Sequence, residues 1–186
     1  MNRFETWFCG SPFWRFVTRR QLLPWIVNGS QLGEHVLELG AGPGAATEEL
    51  ARLAPRVTSL EYDHAFAAQL GARVDPASIT VIQGDAATLP FSDAVFSSAI
   101  AILVLHHLRS NALQDRAFAE IARVLRPGGV FLAFEIKDSW LNRVGHIKST
   151  FVPVDPHSAF VRLRAAGFSQ VAVDFQSGGF RIRALR

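Results

Sequence analysis

The stretch 35-HVLELGAGPGAAT-47 decides how this chain folds. An apolar run, 35–39, leads into three glycines at alternate positions, Gly40, Gly42 and Gly44, and a helical pattern follows over 43–53. That order predicts a strand that turns through a glycine loop into a helix. Such a turn is a ligand cradle, because glycine lets the backbone approach a bound group and the unpaired amides of a first helical turn favour a carboxylate or phosphate. One such unit cannot bury its own apolar face, so its neighbours must complete the sheet.

Further strands are expected at 57–62, 78–83, 98–104 and 130–136, with helices at 64–73 and 111–125. The last helix carries Leu113, Phe118, Ile121 and Leu125 at helical spacing. Strands alternating with helices build a parallel sheet of right-handed crossovers. Upstream, Ser11 and Pro12 open a helix with apolar Phe13, Phe16, Val17 and Leu23 opposite Arg15, Arg19 and Arg20; Pro24 should break or kink it, and Asn28-Gly29 should turn the chain. Downstream, a helix stopped by Gly167 precedes strands at 169–175 and 180–185, joined by the hairpin connection QSGG, so the last strand runs antiparallel. The expected fold is α/β: a Rossmann-like, doubly wound, seven-stranded sheet, mostly parallel with an antiparallel last strand, behind an N-terminal helical extension.

The 186 residues suit one domain with a proper core, and 49% hydrophobic with 19% charged residues is a globular composition. The net charge of +3 is small, and its seventeen arginines and two lysines are dispersed, with no basic run longer than Arg19-Arg20, which argues against a nucleic-acid partner. One cysteine, Cys9, excludes an internal disulfide and a cysteine cluster for zinc, and points to the cytoplasm. The longest apolar run, 99–105, falls far short of the roughly 20 residues of a spanning helix, and no secretory signal pattern opens the chain.

Two ligand templates compete for the glycine loop. Gly40, Gly42 and Ala45 match the G-x-G-x-x-G/A dinucleotide fingerprint, while Glu38 with the three glycines matches the E-x-G-x-G-x-G of S-adenosylmethionine (SAM) enzymes. An acid some 20 residues on should take ribose hydroxyls under either reading, and Glu61 supplies it. Three features arbitrate: Asp85 directly after the third strand in VIQGDAATLPF, the turn VLRPGG at 124–129, and the closing hairpin.

Together with Glu38 these resemble the class I SAM-dependent methyltransferases, in particular the small-molecule type that includes ubiquinone/menaquinone-biosynthesis and phospholipid methyltransferases. The resemblance covers 34–135 by motif and the remainder by topology. It implies a single methyltransferase domain over 1–186, with an N-terminal helical lid at 1–30, a SAM-binding core at 34–135 and an acceptor-specificity segment at 137–156. It further implies that Glu38 lies near the methionine amino group, that Gly40, Ala41, Gly42 and Gly44 form the methionine loop, and that Glu61 takes the ribose with Tyr62 beside the adenine. Asp85 and Ala86 would read the adenine edge, and the backbone near Ala101 would face the amino group or the methyl. Where these enzymes commonly begin the fourth strand with Phe-Asp, this chain has Phe96-Ser97, which implies altered hydrogen bonding there. Simpler readings stand beside these: Glu38 as a strand-end acid paired with an arginine, Asp85 as a Gly-Asp turn, and Glu61 with Asp63 as helix-capping acids.

Methyl transfer from a sulfonium needs no nucleophilic side chain, only a base where the acceptor carries a proton. His106 and His107, just past the fourth strand, are the candidates, with Glu135 and Asp138 behind them and His146 and His157 singled out by position alone. Adjacent histidines do not share a helix face, so no metal is expected. The chain lacks the Asp/Asn-Pro-Pro-Tyr/Phe and Pro-Cys motifs of enzymes that methylate amino groups or base carbons of nucleic acid. A small-molecule or lipid-like acceptor is left, with the N-terminal aromatics Phe4, Trp7, Phe8, Phe13 and Trp14 serving as a lid, as packing, or as a peripheral membrane contact. Two other functions remain open at this point: a SAM-binding sensor without catalysis, and a NAD-dependent enzyme. Nothing in the sequence speaks to oligomeric state.

Overall fold

The computed structural model describes residues 2–176 and 178–186, apart from the side chains of Arg3 and Phe4. Ser177 of the expected hairpin connection and the Phe4 ring therefore lie outside the described residues. Among the described residues, seven strands form one sheet: β1 (His35–Leu39), β2 (Arg56–Glu61), β3 (Ile79–Gln83), β4 (Phe96–Ile102), β5 (Leu125–Ile136), β6 (Gln170–Gln176) and β7 (Gly179–Leu185). Their order is β3-β2-β1-β4-β5-β7-β6. Pairing is parallel from β3 through β5, and β7 runs antiparallel to both β5 and β6. The chain winds outward from β1 to β3, then crosses back to β4, so the strand order reverses between β1 and β4. That switch point, at the carboxyl ends of the strands, is where open α/β sheets leave a crevice for ligand.

Alternate residues of the central strands face opposite layers. Leu37, Leu39, Ala99, Ala101, Phe131 and Ala133 pack with Phe118 and Ile121 of α6 (Asn111–Val124) and Leu163 of α8 (Pro156–Ala165). Val36, Ile100, Leu132 and Phe134 face Leu50 of α4 (Thr47–Leu53) and the N-terminal residues Leu22, Leu23 and Ile26. Each fully buried Leu, Ile, Val or Phe among them contributes about 1.5–3 kcal/mol. Glu38 shares the second face with Val36, a carboxylate in an apolar strand, and so needs polar partners.

Several local expectations give way to specific backbone requirements. The helix after the glycine loop begins at Thr47 and not at 43, because Gly42 and Gly44 have φ of +51° and +77°, which no right-handed helix accommodates. The fourth strand ends at Ile102, two residues early, because Leu103 turns the chain at φ +58°. Pro24 does not break its helix. A π turn at Thr18–Leu22 precedes it, the Leu23 amide reaches the Thr18 carbonyl, and helix continues through Pro24 as α3 (Leu23–Val27). Ser97 fills the place of the expected aspartate: its hydroxyl accepts the His35 amide at 2.9 Å and lies 2.7 Å from the Leu32 carbonyl oxygen, fastening the entrance to β1.

Two helices were not placed individually in the sequence, one of them inside the helical extension expected at 1–30. α1 (Arg3–Gly10) is set by a capping box in which Asn2 Oδ1 accepts the Glu5 amide and Glu5 Oε2 accepts the Asn2 amide, a spacing visible in the sequence as Asn-x-x-Glu. α7 (Trp140–Gly145), in the unread segment 137–156, is capped by Ser139. The remaining helices are α2 (Pro12–Val17), capped by Ser11, and α5 (His64–Gly71), capped by Asp63.

Candidate functional site

The glycine loop is tied to the end of β2: the amides of Gly40 and Ala41 both donate to the Leu60 carbonyl, at 2.7 and 3.3 Å. Gly40 has φ +64°, and a Cβ there would lie 2.5 Å from Cγ2 of Val104, so only glycine serves. Over the loop opens a cavity of about 880 Å³, lined on one side by Glu38, Gly40, Ala41, Gly42, Glu61 and Tyr62, with Asp85 and Ala86 beyond. That size lies in the upper range for small-molecule sites.

Two of the expected residues fall off the cavity wall. Gly44 packs the loop against α5, where a Cβ would meet Leu70 Cδ1 at 2.4 Å. Ala101 is fully buried inside the sheet between Leu39 and Ala133, because β4 continues one residue past it; Ile102, Leu103 and Val104 line the cavity in its place.

The simpler readings hold for Asp85, as a turn, and for Asp63, as a helix cap, but not for Glu38 or Glu61. Among the described residues Glu38 meets no arginine: its Oε2 accepts the hydroxyls of Thr47 at 2.7 Å and Ser59 at 2.6 Å. Burial pushes its carboxyl above the usual range, the two hydroxyls oppose that, and the nearby charge of Glu61 adds to it. Glu61 accepts the Gly42 amide on Oε2 at 2.7 Å and the Asp63 amide on Oε1 at 2.8 Å, so it fastens the second glycine of the loop. Asp63 alone caps α5, through the amides of Ala65 and Phe66. Asp85 Oδ1 accepts the Ala87 amide at 2.8 Å, a turn that fixes the loop after β3.

Arg123, unnoticed in the sequence, secures that loop from α6. Its guanidinium donates to the carbonyls of Leu89 and Phe91 and to Glu120 and Asp93, while Glu120 Oε2 accepts the Leu89 amide. A loop with so many anchors holds Asp85 and Ala86 in fixed positions.

The far wall of the cavity is built from three separated segments. β4 runs into a 3-10 turn at Leu105–His107, whose histidines have ring centroids only 4.2 Å apart. Helix-face geometry therefore does not govern this pair, and His146, just after α7, joins it, with one ring nitrogen of each of the three within 4.8 Å of the others. Buried Gln114 fastens the assembly by donating to the carbonyls of Leu105 and Val152. Glu135, expected as a possible base, is fully enclosed: Oε1 accepts the amides of Val104 and Leu105, and Oε2 lies 2.6 Å from His106 Nδ1. Burial and the neighbouring His106 push His107 down to about 4. Asp138 pairs with Arg143 at the surface and His157 is exposed on α8; neither lines the cavity.

From the N-terminal segment Glu5, Phe8, Cys9, Trp14 and Thr18 reach the same wall, while Trp7, Phe13 and Phe16 face solvent. Burial pushes the Cys9 thiol up to about 11, which leaves it protonated and a poor nucleophile. No helix among the described residues is long and apolar enough to cross a membrane.

Comparison with known proteins agrees with this geometry. The model of the methyltransferase domain family matches residues 37–133. A probable S-adenosylmethionine-dependent methyltransferase of Mycolicibacterium smegmatis is 33% identical over 150 residues, 81% of this chain and 53% of that protein. A demethylmenaquinone methyltransferase of Mycobacterium tuberculosis is 35% identical over 123 residues, 66% of this chain and 47% of its own length. This chain thus spans about half the length of the curated relatives it matches. Among solved structures, the N-methyltransferase NodS of Bradyrhizobium japonicum, in complex with S-adenosylhomocysteine (SAH), superposes with a TM-score of 0.73 at 21% identity, covering 95% of this chain and 88% of that one. A SAM-dependent methyltransferase of Methanosarcina mazei gives 0.67 at 21% identity, over 88% and 97%. With the fold, the glycine loop and the family model in agreement, this chain belongs to the class I SAM-dependent methyltransferases.

Proposed function

We propose that the chain transfers a methyl group from SAM to a small-molecule or lipid-like acceptor. The observation that carries this reading is that the glycine loop, Glu61 and Asp85 share one cavity with the histidine turn. The cradle suits the donor: a side chain at Gly40 would collide with Val104, and the carboxylate of Glu61 beside Gly42 retains lone pairs for a ribose diol. Glu38 and the backbone of Gly40 to Gly42 would hold the methionine end, Glu61 the ribose, and Tyr62, Asp85 and Ala86 the adenine. Bound there, SAM supplies a methyl group already activated by the sulfonium charge.

The protein's task is then to hold the acceptor in line, which is worth about 7–11 kcal/mol when the geometry is right. The residues on the far wall, Phe8 and Trp14 of the N-terminal segment with Leu141 and His146, would form the acceptor side, with α1 to α3 as its lid. For a protic acceptor His106 is the better base of the adjacent pair. Glu135 would steady its imidazolium through Nδ1, whereas His107, near 4, is a weak base at neutral pH. The relatives named demethylmenaquinone methyltransferases put quinols first among acceptors to try.

Titration calorimetry with SAM, SAH and NAD in parallel tests the donor. Micromolar binding of the first two with none of NAD is expected, and NAD binding alone would overturn the reading. Turnover with tritiated SAM against quinols, thiols and lipid amines then separates an enzyme from a SAM sensor.

A further inference from the structure

The three histidines of the far wall are each held the same way. His106 Nδ1 faces the carboxylate of Glu135 at 2.6 Å, His107 Nδ1 faces the Thr150 carbonyl at 3.1 Å, and His146 Nδ1 faces the Asn142 carbonyl at 2.6 Å. A carbonyl oxygen only accepts, and Glu135 already accepts two backbone amides, so in all three rings Nδ1 carries the proton. The lone pair is left on Nε2. Yet Nε2 of His106 and Nε2 of His146 lie 3.2 Å apart, two acceptors in contact with nothing between them to share.

A second observation points to the same spot. Glu5 is 8% exposed, and among the described residues its Oε1 has no hydrogen-bond partner while lying 3.7 Å from His146 Nε2; its Oε2 is occupied by the Asn2 amide and the Ser149 hydroxyl. Two buried carboxylates, Glu5 and Glu135, thus flank the cluster, and their only ion-pair partners among the described residues are the histidines themselves. Removing such charges from water is costly unless a cation balances them. One shared proton would quiet a pair of lone pairs but would leave Glu5 Oε1 unsatisfied.

We propose that His106, His107 and His146, with Glu5 Oε1 as fourth donor, form a site for a divalent transition-metal cation, Zn²⁺ best matching the donor set. Three imidazoles and a carboxylate suit that ion, and the second shell has the pattern of metal-bound histidine, with each remaining ring N–H given to a carboxylate or carbonyl. The 3.2 Å separation is near the ligand–ligand edge of about 3.3–3.4 Å that tetrahedral Zn–N bonds of about 2.0–2.1 Å produce. The site lies in the cavity wall, within reach of an acceptor. A hydroxyl or thiol that displaced the Glu5 carboxylate from the ion would bond it through oxygen or sulfur and give up its proton to the freed carboxylate, which would replace His106 as the means of deprotonation. Metal binding itself does not depend on the methylation reading, since it is measured without turnover.

The experiment uses the tag-free full chain, stripped with chelator and titrated with ZnCl₂ by calorimetry and with Co²⁺ by visible absorption. One equivalent per chain is expected, with the intense d–d bands of a four-coordinate Co²⁺ site. His146→Ala should weaken Zn²⁺ binding at least 100-fold, and Glu5→Gln and Glu135→Gln by about 10- to 100-fold, while His157→Ala, outside the cavity, leaves it unchanged. Thermal melting and SAH binding report whether each variant is folded. Should His146→Ala not fold, the near-isosteric Glu5→Gln decides. Absence of Zn²⁺ binding at micromolar concentration, or binding that survives both His146→Ala and Glu5→Gln unchanged, overturns the site.

Discussion

Gly40 and Gly42 both have left-handed backbone, φ +64° and +51°, but they differ in what surrounds them. A Cβ at Gly42 meets nothing within 4 Å, whereas at Gly40 it lies 2.5 Å from Cγ2, 2.9 Å from Cγ1 and 3.2 Å from Cβ of Val104. Placing alanine in the left-handed region costs about 1–2 kcal/mol, and Gly42→Ala should lose only that. Gly40→Ala adds overpacking against a β-branched side chain that cannot rotate away, about 1–3 kcal/mol more, for a total of about 2–5 kcal/mol. In a chain of this size each kcal/mol moves the melting temperature by about 2–4 °C, so Gly42→Ala should fall by about 2–8 °C and Gly40→Ala by about 4–20 °C. Urea unfolding followed by circular dichroism gives the free energies directly.

The displacement also has a direction. Val104 donates its amide to Glu135 Oε1 at 3.0 Å, so pushing Val104 strains the carboxylate that orients His106. Gly40→Ala should therefore disturb both ends of the cavity and Gly42→Ala only the loop. Equal destabilisation by the two substitutions would refute the close approach at Gly40 and the packing drawn from it.

Other outcomes follow from the same geometry. Glu61→Ala removes a charged acceptor from the Gly42 and Asp63 amides and should weaken SAH binding about 10- to 100-fold by calorimetry, given about 1.5–3 kcal/mol for such a bond. Arg123→Ala releases the loop that carries Asp85, and after discounting for its partial exposure should cost about 1–2 kcal/mol in urea unfolding, with faster amide exchange at 85–93. Burial raises Glu38 in the folded state above its ordinary 4.5, so the fold binds its proton more tightly than the unfolded chain does; the associated stability is full below 4.5 and is lost as pH rises through the raised value. Glu38→Gln should remove that decline from the stability profile of the ligand-free protein, and an unchanged profile would show that Glu38 is not its source.

Strand and helix order was legible because each β-α unit repeats a strong local pattern, apolar strand then amphipathic helix. What escaped were places where one residue's backbone overrides the pattern. Leu103 at φ +58° ends β4 early despite the apolar run through Leu105, and Gly44 at φ +77° delays α4 despite a helical sequence from Pro43. Pro24 does not end its helix, and the irregularity beside it is a π turn over Thr18–Leu22. Conformations of this kind are selected by tertiary contacts, such as the Leu103 amide on the Phe134 carbonyl, and leave no periodic trace.

The two halves of the cavity differ in how they are encoded. Nearly all of the proposed donor half comes from three short motifs, each within a few residues of a strand end, so spacing together with the family resemblance singled out Glu38, Glu61 and Asp85 as candidates. The other half draws Glu5, His106 and His146 from positions up to 141 residues apart in sequence, joined only when α1 and α7 fold over the 3-10 turn. Its local signals were present, Asn-x-x-Glu at the start of α1 and the paired histidines, but neither reveals a convergence. Residue spacing speaks only to the adjacent histidine pair on a regular helix, and it carries no information on a 3-10 turn that a third ring, just after α7, approaches in space. The donor half must meet one ligand and can be written as a compact motif. The half that carries the histidines is assembled from segments distant in sequence, so no single stretch of the chain encodes it.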